Sequence, residues 1–166
     1  PLPMLISSQD WEMLSRGIEQ RVLLLNKVLL DLNTDRQTLT NGVFSTDHLM
    51  RHPYYLAESH TLSSLNNGVF LSAFDIAQDV NGEYFMLNDH CQFPRGLGLL
   101  LENRIVARRV MSEEFAECGV QRIAGFFEQL QHAIDQETAA INDPRIVILC
   151  RGPDDQYYSE QAYLAT

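Results

Sequence analysis

The sequence has no excess of basic residues, no cysteine framework and no long apolar run. Twelve Lys and Arg stand against 22 Asp and Glu, for a formal net charge of −10. Phosphate backbones are gripped by clustered Lys and Arg, so no nucleic-acid partner is expected. A small anionic ligand with a bridging cation stays open. The apolar runs are far shorter than the roughly 20 residues that span a bilayer, and no signal-peptide pattern opens the chain, so no membrane partner is expected either. The three cysteines, Cys91, Cys118 and Cys150, are odd in number and far apart, with no CxxC pair. They predict free thiols in a reducing cytoplasm. Internal repeats and low-complexity stretches are also absent.

What is present is ordinary globular composition, 45% hydrophobic and 20% charged over 166 residues, the size of one domain with a core. Pro1 and Pro3 hold the first residues extended. Ser7 or Ser8 caps a helix with Asp10 in its first turn. Trp11, Leu14, Ile18, Val22, Leu25, Leu29 and Leu32 then recur at steps of three and four, so residues 9–33 form a long amphipathic helix. Leu23, Leu24, Val28 and Leu30 widen the stripe and predict burial on more than one side. Short helices follow, at 35–40, closed by Asn41-Gly42, and from Ser45 or Thr46 to Pro53. Residues 54–67 read as a loop. Val120, Ile123, Phe127, Leu130, Ile134 and Ile141 mark a second long helix at 120–141, after a short one that starts at Ser112. The Phe126-Phe127 pair reads as core. Arg145 to Cys150 reads as a buried strand, followed by a Gly152-Pro153 turn and a helix from about Gln156. Strand, glycine turn and helix resemble the first unit of a nucleotide-fold domain, so residues 143–166 are expected to begin a following α/β domain that this chain does not complete.

The chemistry-bearing residues concentrate in residues 69–104. Val69 to Ile76 and Tyr84 to Leu87 have strand composition, and Asn81-Gly82 between them signals a hairpin. Asp75 and Asp89 end the two strands. Gly96-x-Gly98 follows Pro94, then a mainly apolar segment to Met111 that contains Glu102, Asn103 and Arg104. A two-residue loop would pair Asp75 with Asn88 and turn Asp89 to the other face. A three-residue loop, Val80 to Gly82 with Gly82 left-handed, would put both carboxylates on one face, and this is the expectation. The glycines suit either a phosphate approached by backbone amides or a plain tight turn. Glu102, Asn103 and Arg104 suit either a ligand pocket, with Arg104 on an anion, or an internal hydrogen-bond network. Gln20 and Arg21, beside the long helix's stripe, read as a salt bridge or a helix-to-sheet contact. His48 and His52 lack a third metal ligand, and Cys91 lacks an identifiable base.

Four motifs in order carry a resemblance. They are Leu14-x-x-Gly17-x-x-Gln20-Arg21 with Leu25-Asn26-x-x-Leu29-x-Asp31; Asp75 with Gly82-x-Tyr84-x-Met86-Leu87-x-Asp89; Pro94-x-Gly96-x-Gly98 with Leu101-Glu102-Asn103-Arg104; and Ile146 to Leu149 with Gly152-Pro153 and Glu160-x-Ala162-x-Leu164-Ala165. Together the sequence resembles the circularly permuted ATP-grasp proteins, relatives of glutathionylspermidine synthetase. The resemblance implies an ATP-dependent carboxylate–amine ligase that works through an acyl phosphate, with Mg2+ and ATP as cofactors and small-molecule or peptide carboxylates and amines as substrates. Asp75 and Asp89 would hold the metal. Arg95, Gly96 and Gly98 would meet the nucleotide, and Glu102, Asn103 and Arg104 would be catalytic. Arg95, Leu99, Cys91 and Gln161 stand where the family favours Ser, an aromatic, Thr and His. The alternative is a degenerate, non-catalytic domain for protein contact or homo-oligomerisation. The expected fold is α+β: residues 1–142 as the metal-binding part of a permuted ATP-grasp domain, long helices on an antiparallel sheet, then the first strand and helix of an α/β domain.

Overall fold

The computed structural model describes residues 3–56, 68–92 and 94–165. These fall into two compact units, Leu2–Pro94 and Arg95–Thr166. In the first unit α1 runs from Ser8 to Asn33, and Ser7 Oγ accepts the Asp10 amide at 3.1 Å, the cap its sequence predicts. The next turn is organised differently from expectation. Asp31 lies in the last turn of α1, and its carboxylate accepts the Gln37 and Thr38 amides at 2.8 and 2.9 Å. It thereby caps α2 (Gln37–Thr40), a role the sequence reading gave to residues 33–35. Those hydrogen bonds, the Thr38 hydroxyl's first, hold the Asp31 carboxyl below its usual range. Gly42 closes α2 at φ +70, and Ser45 caps α3 (Thr46–Met50). Of the expected loop at 54–67, residues 57–67 lie outside the described residues.

One antiparallel pair makes the sheet: β1 (Ala73–Gln78) and β2 (Tyr84–His90). Asp79 N–H donates to Glu83 O at 2.9 Å, which leaves the three-residue loop Val80 to Gly82, and Gly82 is left-handed at φ +87. This is the expected turn. The Asp79 side chain shapes it by accepting the Asn81 and Glu83 amides at 2.8 and 2.9 Å. The expected consequence fails because a β-bulge breaks the register between Asp75 and Ile76. Ile76 pairs with Met86 but Asp75 pairs with Asn88, so Leu87 is the extra residue. From there on the side chains of β2 exchange faces. Asp75 shares its face with Asn88, and Asp89 lies opposite Phe74 on the other face.

In the second unit α4 (Leu97–Val110) occupies what the sequence offered only as an apolar segment. After it come α5 (Ser112–Glu117), ended by Gly119 at φ +59, α6 (Ala124–Thr138) and α7 (Tyr158–Leu164). The buried strand expected at 145–150 is not formed. Ile146, Val147, Ile148 and Leu149 are 61, 74, 41 and 89% exposed, and no neighbouring strand pairs with them among the described residues. The expected burial of α1 on more than one side is not found either: the stripe residues Leu14, Ile18, Val22, Leu25, Leu29 and Leu32 are half-buried, but Leu23, Leu24 and Leu30 are exposed. Among the described residues no apolar side chain is fully buried. No helix of the described residues is long and apolar enough to cross a membrane.

The hairpin turn is open to a direct check. A Cβ on Gly82 meets nothing closer than Gln78 Nε2 at 3.8 Å, so only the backbone angle resists substitution. Gly82→Ala is expected to cost about 1 kcal/mol, the left-handed penalty. It reads as a lower urea midpoint at unchanged slope, and an unchanged midpoint would mean that the turn is not formed this way.

Candidate functional site

The residues singled out by sequence divide between the two units. Asp75 and Asp89 belong to the first; Arg95, Gly96, Gly98, Glu102, Asn103 and Arg104 belong to the second.

The bulge delivers Asp89 to α1. Arg21 Nε donates to Asp89 Oδ1 at 2.6 Å and Arg21 Nη2 to Oδ2 at 2.7 Å, a two-pronged ion pair between helix and sheet. This is the structural contact the sequence predicts for Arg21. The guanidinium's hydrogen bonds hold the Asp89 carboxyl below the usual carboxylate range. On the opposite face His90 Nε2 donates to Asp75 Oδ2 at 2.9 Å. A magnesium ion gathers oxygen ligands around one point. Two carboxylates on opposite faces do not do so, and both Asp89 oxygens are already taken. The expected two-aspartate metal site is therefore not formed, and no group of three or more metal-ligating acids, histidines or cysteines occurs among the described residues.

Arg21 also borders an open, mainly apolar cleft of about 660 Å³ between α1 and the hairpin, lined by Leu14, Ile18, Leu24, Tyr84 and Met86 among others. Cys91 is a half-buried thiol. Burial raises its pKa and the nearby Asp89 charge adds to this, so it is a poor nucleophile. All three cysteines are free, as the sequence predicts. His52 packs against Tyr54 with ring centroids 5.8 Å apart.

In the second unit the glycine loop has an occupant. Gly96 is left-handed at φ +99, and its N–H donates to Glu160 Oε1 at 2.6 Å. A Cβ on Gly98 would stand 2.8 Å from Glu160 Cγ and 3.1 Å from Glu160 O. The missing side chains thus admit α7 to the start of α4, and the amide a phosphate would use is engaged by a carboxylate. Arg95 lies with its guanidinium 4.2 Å over the Tyr157 ring. Arg104 lies 5.7 Å over Phe115, whereas Glu102 and Asn103 are exposed on α4. Of the two alternatives for these residues, the internal Glu102–Arg104 network is not among the interactions of the described residues. Phe126 and Phe127 meet edge to face at 5.3 Å, with Phe126 partly exposed.

Sequence reasoning gave no role to Glu160, the single buried charged residue among those described, at 6% exposure. Its signal was faint: an acid in the middle of the apolar positions Tyr157, Tyr163 and Leu164. His90 as the partner of Asp75 was legible only through the bulge, which nothing in the residue pattern announces.

With this geometry in hand, the comparisons assign the family. The chain belongs to the circularly permuted ATP-grasp type 2 family, which it matches over residues 3–166. It is 32% identical over 168 residues to an uncharacterized protein of Mycobacterium tuberculosis, a match covering 100% of this chain and 19% of that protein. A Mycobacterium leprae protein, also uncharacterized, is 29% identical over 172 residues, covering 99% of this chain and 30% of its own length. A Frankia casuarinae protein under the provisional name of a glutamate–cysteine ligase is 26% identical over 166 residues, 99% of this chain and 19% of that protein. The chain spans about a fifth to a third of the length of these curated relatives. No solved structure matches it.

The Arg21–Asp89 pair has a pH signature. The folded pKa of Asp89 is depressed, so its contribution is present above the unfolded value of about 4 and is lost as pH falls through the folded pKa. Arg21→Gln is expected to unfold at lower urea than the parent near pH 7, with the gap closing as pH drops below about 4. A gap that is constant from pH 7 to pH 3 would rule out the ion pair as the cause.

Proposed function

We propose that this chain forms part of an ATP-dependent carboxylate–amine ligase. The observation that carries the reading is the family match over residues 3–166, joined by a relative with a ligase name. In that reaction class a carboxylate is phosphorylated and an amine nitrogen then attacks the acyl carbon, releasing phosphate and forming an amide. The kinship to glutathionylspermidine synthetase, the use of Mg2+ and ATP, and small-molecule or peptide substrates all belong to this proposal. So does a cytoplasmic setting, which the three free thiols support.

The roles of this chain's residues follow from their placement. Asp75 retains one oxygen outside its bond to His90 and is the carboxylate best placed to take a cation. Asp89 acts by fixing β2 to α1. Arg95, Gly96 and Gly98 would meet the nucleotide only in a conformation that releases the Gly96 amide from Glu160. Glu102 and Asn103, exposed on α4, and the adjacent Arg104 remain candidates for the reacting centre. The domain assignment is part of the same reading: residues 1–142 are the ATP-grasp portion, and 143–166 open an α/β domain. The exposed apolar run Ile146 to Leu149, β-branched in its first three residues, supports it, because a strand apolar on both faces belongs inside a covered sheet.

A second reading has its own support. Asp89, Gly96 and Arg95 all spend their ligand-binding groups on partners within the chain, as a non-catalytic, degenerate domain would. The exposed Leu23, Leu24 and Leu30 of α1 would then serve a protein contact or a homo-oligomer.

Calorimetry with Mg-ATP, on this chain and on a version extended beyond Thr166, separates the two. The ligase reading expects magnesium-dependent binding by the extended protein and at least tenfold weaker binding after Asp75→Asn. A folded extended protein that binds no nucleotide would sink it and favour the interaction module.

A further inference from the structure

Glu160 sets an unfinished balance. It is 6% exposed, and one carboxylate oxygen takes the Gly96 N–H. The other, Oε2, is enclosed without a hydrogen-bond partner, and so is Oε1 of the next residue, Gln161. Both orphans are acceptors. A buried carboxylate left half-satisfied is destabilising unless a donor, best a charged one, completes it. On the same segment the Tyr157 ring already accepts a cation on its face, the Arg95 guanidinium at 4.2 Å. A carboxylate oxygen, an amide oxygen and an aromatic face, all within residues 157–161, are the acceptor chemistry that recognises an organic cation.

We propose that Glu160 and Gln161, with the Tyr157 ring, form the receptor for a cationic primary amine. An ammonium brings three N–H donors, enough to complete Glu160 Oε2 and Gln161 Oε1 together. A magnesium ion fits less well: it keeps several waters and favours two carboxylates or phosphates, whereas the two orphan acceptors are one carboxylate oxygen and one amide oxygen. The N-terminal partial charge of α4 is already answered by Oε1, so it does not oppose a cation on the far oxygen. Arg95 is the internal cation that a ligand displaces from Tyr157. If the chain belongs to a ligase, this is where the amine substrate binds, and that identification of the ligand rests on the ligase reading. The receptor chemistry does not.

The test is an NMR titration of the intact protein with n-butylammonium chloride, with 1-butanol as the uncharged match and magnesium chloride as the competing probe. The Gly96 amide and the Glu160 carboxyl carbon report. Both are expected to shift saturably with butylammonium and not with butanol. Arg95→Ser, which vacates the ring, is expected to tighten binding about threefold. Glu160→Gln, which keeps shape and the acceptor for Gly96, is expected to weaken it at least tenfold with the remaining spectrum unchanged. The proposal fails if neither the parent nor Arg95→Ser saturates, if Glu160→Gln binds as the parent does, or if magnesium alone saturates the same signals. Mg-ATP binding, measured separately, keeps the two ideas apart: amine binding without nucleotide binding overturns the ligase and leaves the receptor standing, and nucleotide binding without amine binding does the reverse.

Discussion

Arg21 grips Asp89 through both carboxylate oxygens, at 2.6 and 2.7 Å, and the first unit depends on that grip. No apolar side chain there is fully buried, and the cleft between α1 and the hairpin stays open. Hydrophobic burial is partial, with Leu14, Ile18, Val22 and Leu25 half-buried. Directional polar ties add to it: the ion pair, and Asn26 Oδ1, which accepts the Val69 amide at 2.7 Å and holds the approach to β1. The ion pair exists only because of the bulge. Without Leu87 as an extra residue, Asp89 would face the side of Asp75, and Arg21 would have no partner on the sheet. One residue thus exchanges a shared carboxylate face for a helix-to-sheet clamp.

The second unit repeats the arrangement with different groups. α7 meets α4 through Glu160, and the contact is close because Gly98 has no side chain to prevent it. Here too a carboxylate does the joining, and here too its partner lies within the same unit. The difference lies in completeness. Asp89 is satisfied at both oxygens by a guanidinium, whereas Glu160 is satisfied at one. A finished ion pair is a structural element; a buried carboxylate with an orphan oxygen is a demand for a donor. That contrast is why Asp89 reads as an anchor and Glu160 as a receptor, although both are acids buried more than their neighbours.

Much of the fold was legible. The stripe from Trp11 to Leu32 gave α1 because helical spacing is a property of the residues themselves. Asn81-Gly82 gave the turn because only glycine adopts its backbone angle freely. The short helix after Ser45 followed from its capping residue, whereas α5 forms where expected without the expected cap: Ser112 is its first residue and Met111 holds the cap position. The misses have different causes. Residues 146–149 carry strand composition, but a strand needs a neighbour to pair with, and none stands beside them among the described residues. The segment after Gly98 looked merely apolar, because the two leading glycines obscured the start of α4. The shared face for Asp75 and Asp89 followed correctly from the loop length, yet a bulge three pairs further along reversed it.

The family could be read where the site could not, and the reason is physical. Motifs record the order of residue types, and order survives when geometry is local, as in a turn or a cap. A glycine motif records less than it seems to. Gly96-x-Gly98 states that a backbone must bend and that something must come close; it does not state what comes close. A phosphate and a packed helix make the same demand on the sequence, an absent Cβ. In this structure the visitor is the Glu160 backbone and carboxylate, brought from sixty-four residues away, and the same absence that suggested a nucleotide serves an internal acid. Function at such a loop is set by whichever anion has the stronger claim on the Gly96 amide, and that is a question of competing partners that residue identity alone leaves open.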